Sequence, residues 1–493
     1  MKRDDRIHFR LAYAAWLFGC FAFFLPAATW NPVSRFNLTR AVVEHQSLRV
    51  DDWVTNTGDR ALVNGHWYSD KPPVVALLAV PAYAAVHVAQ RAGNLSPSFS
   101  AYGSTAHPAM RVVPNKAFQQ GLYICSLATS ALSGVAVGLL LFELLRRRTS
   151  ARVAFLSATF VIFGTPLFPY STSFYSHVPA AALLLGAIVC LDQRGVRPVG
   201  TLPSRRRLRL AGACLALAPG CEYLTAVSAA IIGIWFLLLV PRQARWQVAL
   251  ELAVGAVGPV LLLCAYHTAV FGAPWRTGYA YETASDFIAG HSSGLLGIKL
   301  PKLAGAYGLL LSVERGLFYL SPLSVFGVMF GFAHARRRRD FAIGAGLAAL
   351  FALYWLNASY YMWWGGASAG PRHLVPGLPF LAAGVMVGLT ARWPWVRTLT
   401  VLLGCVAVAN FLAITAVGIE TPEHGNVLWK FAWHHLQWGD VGGPAGASNL
   451  GLKAGLKGNR SLLPLLAWAV LGFAYLYAQV RRRGASARVR GVA

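Results

Sequence analysis

Apolar residues run in long blocks along this chain, at 11–30, 74–90, 117–145, 153–169, 174–191, 210–218, 223–240, 247–271, 316–332, 341–362, 374–390, 399–419 and 462–479. Polar residues gather in the gaps between them. A helix needs ~20 apolar residues to cross a hydrocarbon core, and most blocks come close to that length. The pattern predicts an all-α polytopic bundle of about 12–13 helices, forming one integral membrane domain over residues 1–493. Two blocks read as incomplete. The 74–90 block is short, carries Pro81 and follows Pro72-Pro73, so it is expected to enter the bilayer from the outer side without crossing it. The 210–240 stretch is split at Pro219-Gly220 into two halves, which sets Glu222 at or below the outer surface.

Charge orients these blocks. The 493 residues include 44 Lys+Arg against 18 Asp+Glu, a formal net charge of +26. The basic residues are bunched at 2–10, 146–152, 194–209, 242–245, 336–339, 392–397 and 481–490, each beside an apolar block. That is the signature of cytoplasmic flanks, and it places both termini on the cytoplasmic side. Nucleic-acid binding would need one contiguous basic surface with interleaved aromatics, so no nucleic-acid partner is expected. The 11–30 block has no convincing small-residue cleavage site before Pro26 and reads as a retained first span. With 56% hydrophobic and 13% charged residues and a mean hydropathy of +0.50, the chain is neither disordered nor an ordinary soluble enzyme. Its 7 cysteines form no CxxC pair and mostly lie inside apolar blocks, as small core residues do.

The outer side then carries the substantial connections: 31–73, 272–315, 363–372 and 420–461, with 91–116 added if the 74–90 helix only dips in. Most of the acidic residues fall there, so chemistry is expected on that face. In the first loop, Phe36, Leu38, Ala41, Val42 and His45 recur near helical spacing and predict a short amphipathic helix on the membrane surface. The loop ends in Asp70-Lys71-Pro72-Pro73, a charged pair where a proline-initiated helix enters the bilayer. Lys71 at that level suits a lipid phosphate, or reads as an interfacial lysine neutralised by its neighbour. Glu314-Arg315 opens a later span. Trp363-Trp364-Gly-Gly, followed by Arg372 and His373, can stack a sugar and hold a phosphate bidentately, or form an interfacial aromatic belt. Tyr279 lies in a similar aromatic and basic stretch, and His177 stands at a span entrance as a core residue, a base or a metal ligand. No HExxH, Walker A, GxGxxG or GxSxG element is present.

In this order, Tyr68-Ser-Asp70-Lys71-Pro-Pro, Phe271-Gly-Ala-Pro-Trp-Arg-Thr-Gly-Tyr279, Glu314-Arg315-Gly and Trp363-Trp-Gly-Gly through Gly370-Pro-Arg372 resemble the C-type membrane glycosyltransferases. The closest groups are the protein O-mannosyltransferase and aminoarabinose transferase families. The resemblance covers most of the chain. It implies transfer of a sugar from a polyprenyl-phosphate donor to a lipid, glycan or protein acceptor at the outer face, with inversion, in a bacterial plasma membrane. It also implies a carboxylate base and basic side chains on the departing phosphate. Lys71, Arg315 and Arg372 are the expected phosphate ligands. Asp59, Asp70 and Asp52 are the expected bases. Trp363, Trp364, His177, Glu222 and Tyr279 are expected to meet substrate. The families place an acid directly after the first span, where this chain has Asn31, and a second acid at a position occupied near His177. No cofactor is specified, and a divalent cation is left open. A transporter or flippase for a lipid-linked glycan, or a non-catalytic relative, is the alternative reading.

Overall fold

The structure, a computed structural model, describes residues 3–102, 111–194, 201–295, 297–441 and 448–489. Lys2, Arg490 and parts of the 91–116, 194–209 and 420–461 segments lie outside the described residues. The polytopic helical bundle read from the apolar blocks is present. Among the described residues, seven helical stretches are long and apolar enough to cross a membrane: Val74–Ala92, Lys116–Arg146, Arg242–Phe271, Phe341–Ala358, Arg372–Leu389, Pro394–Val417 and Gly458–Arg482. Shorter apolar helices, Ile7–Ala22, Ala151–Phe163, His177–Leu191 and Thr225–Leu239, fill the bundle between them. Local sequence explains several of the ends. Asn115, Ser150 and Asp340 each accept a hydrogen bond from a backbone N–H of the first turn that follows. Gly272, at φ 80, stops the Arg242–Phe271 helix.

Three details differ from the sequence pattern. The helix after Pro72-Pro73 is unbroken over 19 residues despite Pro81, about 28 Å long, so its length does not enforce a partial crossing. The break in 210–240 falls at Glu222, whose backbone is extended, while Pro219 is carried inside the helix Arg205–Cys221. The first-loop helix spans Trp30–His45 and is buried through Pro32–Ala41 rather than lying on a membrane surface. Its polar residues are tolerated there because the protein pairs them. Asn37 and Asn56 exchange amide hydrogen bonds at 2.7 and 3.0 Å, and Arg40 donates to Glu44 at 2.7 and 3.0 Å. Thr39 donates to the carbonyl of Ala76, which fixes this helix against Val74–Ala92.

Candidate functional site

A short hairpin builds the first half of the site. Strand Ala61–Val63 pairs antiparallel with His66–Tyr68, in the register Ala61↔Tyr68 and Val63↔His66. Asn64 and Gly65 make the turn with φ of 50 and 80, the left-handed pair that a two-residue hairpin needs. Continued by two residues, that register sets Asp59 opposite Asp70. Between them lies the Lys71 ammonium, 2.7 Å from Asp70 Oδ2 and 3.1 Å from Asp59 Oδ2. All three side chains are buried, at 0% exposure for Asp70, 8% for Asp59 and 10% for Lys71.

A second segment closes on this group. Ala61 bridges to Glu282, whose carboxyl is close enough to Asp70 to act on it electrostatically. A Cβ on Gly278 would sit 2.5 Å from the Asp70 Cα, so glycine there lets the segment lie against the Asp70 backbone. Tyr279 then reaches 5.8 Å from Lys71 Nζ and stacks on His291 at 4.8 Å. His291 lies 2.6 Å from Glu282 and 2.7 Å from the Tyr360 hydroxyl.

One ammonium thus faces three carboxyl groups, and the protonation balance follows. Burial pushes Asp59 and Asp70 up, only partly opposed by Lys71. Burial also lifts Glu282 to about 7. Lys71 moves up as well: burial disfavours its charge, but Asp59, Asp70 and Glu282 override that penalty. Glu282, beside Asp70, therefore gives up its proton at about pH 7.

A second group stands on the break between helices. Glu222 Oε2 lies 3.1 Å from His177 Nδ1, and its Oε1 lies 3.9 Å from His373 Nδ1. Ser176 Oγ donates to Glu222 at 3.1 Å and receives a hydrogen bond from Arg35 at 2.8 Å. Arg35 also donates to the Asn31 side-chain oxygen. Burial alone would raise the Glu222 carboxyl, but His177, His373 and Arg35 hold it well below the usual range. One ligand atom each from His177, Glu222 and His373 lies within 4.8 Å of the others. His177 Nε2 and His373 Nδ1 are buried and have no hydrogen-bond partner among the described residues. Such a donor set, two imidazoles and a carboxylate, fits a divalent cation.

Arg372 connects the two groups, within electrostatic reach of Asp59 and Glu222. Its Nε is buried and meets no acceptor among the described residues. The turn at Gly365, φ 74, passes so close that a Cβ there would lie 3.1 Å from that nitrogen. Glu420 is coupled to the same arginine; it accepts from the Tyr175 hydroxyl at 3.1 Å, and burial lifts it to about 7.

The remaining expected residues are placed differently. Arg315 is fully buried and all of its side-chain nitrogens are engaged. Nε donates to Trp364 O at 3.1 Å, Nη1 to Glu314 O and Thr421 Oγ1, and Nη2 to Gly366 O at 2.8 Å. It pins the 363–372 loop. Trp364 donates to Glu423 at 3.0 Å and Trp363 packs over Gly308, both half-buried. Asp52 lies apart from both groups, 67% exposed, with His45 at 3.6 Å. The sequence reading passed over Glu282, Arg35 and Glu420 as site residues. Asn64-Gly65 between Ala-Leu-Val and His-Trp-Tyr was a signal for the hairpin. No signal of comparable strength announced Glu282.

No family model and no curated protein sequence matches the chain. Among solved structures it is similar to ArnT from Cupriavidus metallidurans bound to undecaprenyl phosphate, at 13% identity and a TM-score of 0.49, over 97% of this chain and 76% of that one. It is also similar to the archaeal oligosaccharyltransferase AglB from Archaeoglobus fulgidus, in complex with an inhibitory peptide and a dolichol-phosphate. That likeness has 13% identity and a TM-score of 0.46, over 89% of this chain and 58% of that one.

Proposed function

We propose that this chain moves a sugar from a polyprenyl-phosphate donor to a hydroxyl of a lipid, glycan or protein acceptor, on the face of the membrane that carries the carboxylates. The observation that carries the reading is Arg372. A buried guanidinium nitrogen without an acceptor, set between an acidic cluster and a His–Glu–His group, suits an anionic oxygen supplied by a substrate. The sequence resemblance to C-type glycosyltransferases makes a lipid phosphate the fitting anion.

The acceptor O–H gives its proton to a carboxylate of the Asp59–Asp70–Glu282 cluster as its oxygen attacks the anomeric carbon. Attack comes from the side opposite the phosphate, so the new C–O bond forms with inversion as the bond to the phosphate oxygen breaks. The departing lipid phosphate gains negative charge, and Arg372 meets it with a donor already in place. Lys71 holds Asp59 and Asp70 together and keeps a positive charge beside the cluster. Arg315 positions the loop that presents Arg372. His177, Glu222 and His373 would hold a divalent cation, whose Lewis acidity would add to the charge available to a phosphate oxygen.

The test is transfer by the purified full chain in proteoliposomes supplied with membrane extract. Radiolabelled polyprenyl-phosphate sugars are expected to label an acceptor, and nucleotide sugars alone are not. Absence of transfer from every lipid-phosphate sugar, or transfer from nucleotide sugars in their place, contradicts the reading.

A further inference from the structure

At the other end of the bundle lies a cavity of about 910 Å³ that the proposed transfer does not use. The helix His177–Leu191 measures the separation: His177 begins it, Asp192 follows its end, and 15 residues rise about 22 Å. Arg147, Arg148, Arg194, Arg337 and Arg338 line the cavity together with His334. Met329, Phe330, Ala333, Met386 and Val387 supply its apolar lining.

The helix Leu323–Arg338 supplies one side through a single face. Phe330, Ala333, His334, Arg337 and Arg338 stand at positions i, i+3, i+4, i+7 and i+8, so the apolar residues lead directly into the basic ones along one stripe. Arg336 and Arg339, in the same basic run, fall off that stripe and do not line the cavity.

Charge is matched on the floor of the cavity and unmatched at its rim. Asp192 lies 3.3 Å from Arg147 and 3.0 Å from Arg148, and Asp340 lies 2.7 Å from Arg148 and 3.4 Å from Arg194. Glu143 also lies 3.4 Å from Arg147, so these three arginines meet three carboxylates, which fixes the floor. Arg337 and Arg338 are exposed and have no carboxylate partner among the described residues. The basic runs place this end at the cytoplasmic membrane surface, where anionic lipid headgroups concentrate. A pocket whose lining passes from Met and Phe side chains to guanidinium groups matches a phosphate that carries acyl chains.

We propose that this cavity binds the phosphate headgroup of an anionic phospholipid, with Arg337 and Arg338 as the ligands and the apolar lining along the first acyl carbons. The site is separate from the transfer site and does not depend on that reading.

The test is lipid titration of the delipidated full-length protein, read by native mass spectrometry. Phosphatidylglycerol, phosphatidylcholine and inorganic phosphate are the probes. Phosphatidylglycerol should bind the wild type and lose roughly 30-fold in affinity in R337Q/R338Q, the effect of two removed arginine contacts. R336Q/R339Q, with the same net charge change, should bind as the wild type does. Wild-type affinity in R337Q/R338Q, or an equal loss in R336Q/R339Q, overturns the site. Equal binding of phosphatidylcholine overturns the selectivity for anionic lipid. Displacement of the lipid by inorganic phosphate at equal concentration assigns the cavity to free phosphate and overturns the lipid.

Discussion

Lys71→Gln isolates the electrostatics of the acidic cluster, because glutamine keeps most of the side-chain volume and removes the charge. The ammonium lies 2.7 Å from Asp70 and 3.1 Å from Asp59, both buried, so two carboxylates lose their partner in one step. Removing one member of a buried ion pair costs about 3–5 kcal/mol. The folded variant can recover part of this by binding protons. In the variant the carboxylates titrate still further above their unfolded values, near 4. Their favourable contribution is then present in acid and is lost as pH rises through the raised folded values. In the wild type, the raised Lys71 contributes stability throughout that range and loses it only in strong base. The gap between the proteins is therefore widest in mild base. One extra proton held by the folded variant across three pH units is worth about 4 kcal/mol. Unfolding in bicelles, followed by tryptophan fluorescence, should show the variant about 3–5 kcal/mol less stable at pH 8 and close to wild type at pH 5. A gap below about 1 kcal/mol at pH 8, or one that does not change with pH, would refute the reasoning.

Three further outcomes are expected. The transfer rate should rise with pH through about 7 as Glu282 releases its proton, and Glu282→Gln should remove that limb; an unchanged profile in the variant excludes Glu282 from the cluster's proton balance. Gly278→Ala should cost about 1–3 kcal/mol of stability and lower transfer, since its Cβ would lie 2.5 Å from the Asp70 Cα; wild-type melting and rate would show that this contact is not required. After dialysis against Mn²⁺ or Zn²⁺, metal analysis should find about one ion per wild-type chain and a clear loss in His373→Ala and Glu222→Gln; equal metal in all three proteins rules out the His177–Glu222–His373 site.

The bundle was legible because hydrophobic length is a strong signal: blocks of apolar residues bounded by arginine runs become helices in the structure, with ends close to those the sequence suggests. Asp70-Lys71 was legible as a pair because the two residues are neighbours. What brings Asp59 to the same ammonium is a hairpin register, and what brings Glu282 there is a contact between residues more than two hundred positions apart. Neither leaves a local trace beyond Asn64-Gly65. The Trp30–His45 helix was misplaced for a related reason. Its apolar spacing is that of an interfacial helix, and only the partners of Asn37, Arg40 and Thr39 show that its polar face is buried too. Arg315 and Arg372 look alike in sequence, each beside a glycine-containing turn. They differ in where their donors go: the Arg315 donors end on protein oxygens, whereas the Nε of Arg372 does not.

The most direct measurement is therefore the steady-state rate of sugar transfer from a polyprenyl-phosphate donor by Arg372→Gln in proteoliposomes, beside wild type and a variant whose melting behaviour matches it. Loss of a preorganised donor to the departing phosphate should lower the rate about 100-fold or more while the protein stays folded. A folded Arg372→Gln protein that transfers sugar within about threefold of wild type would contradict the account, because a change that small is less than one hydrogen bond to a charged group contributes.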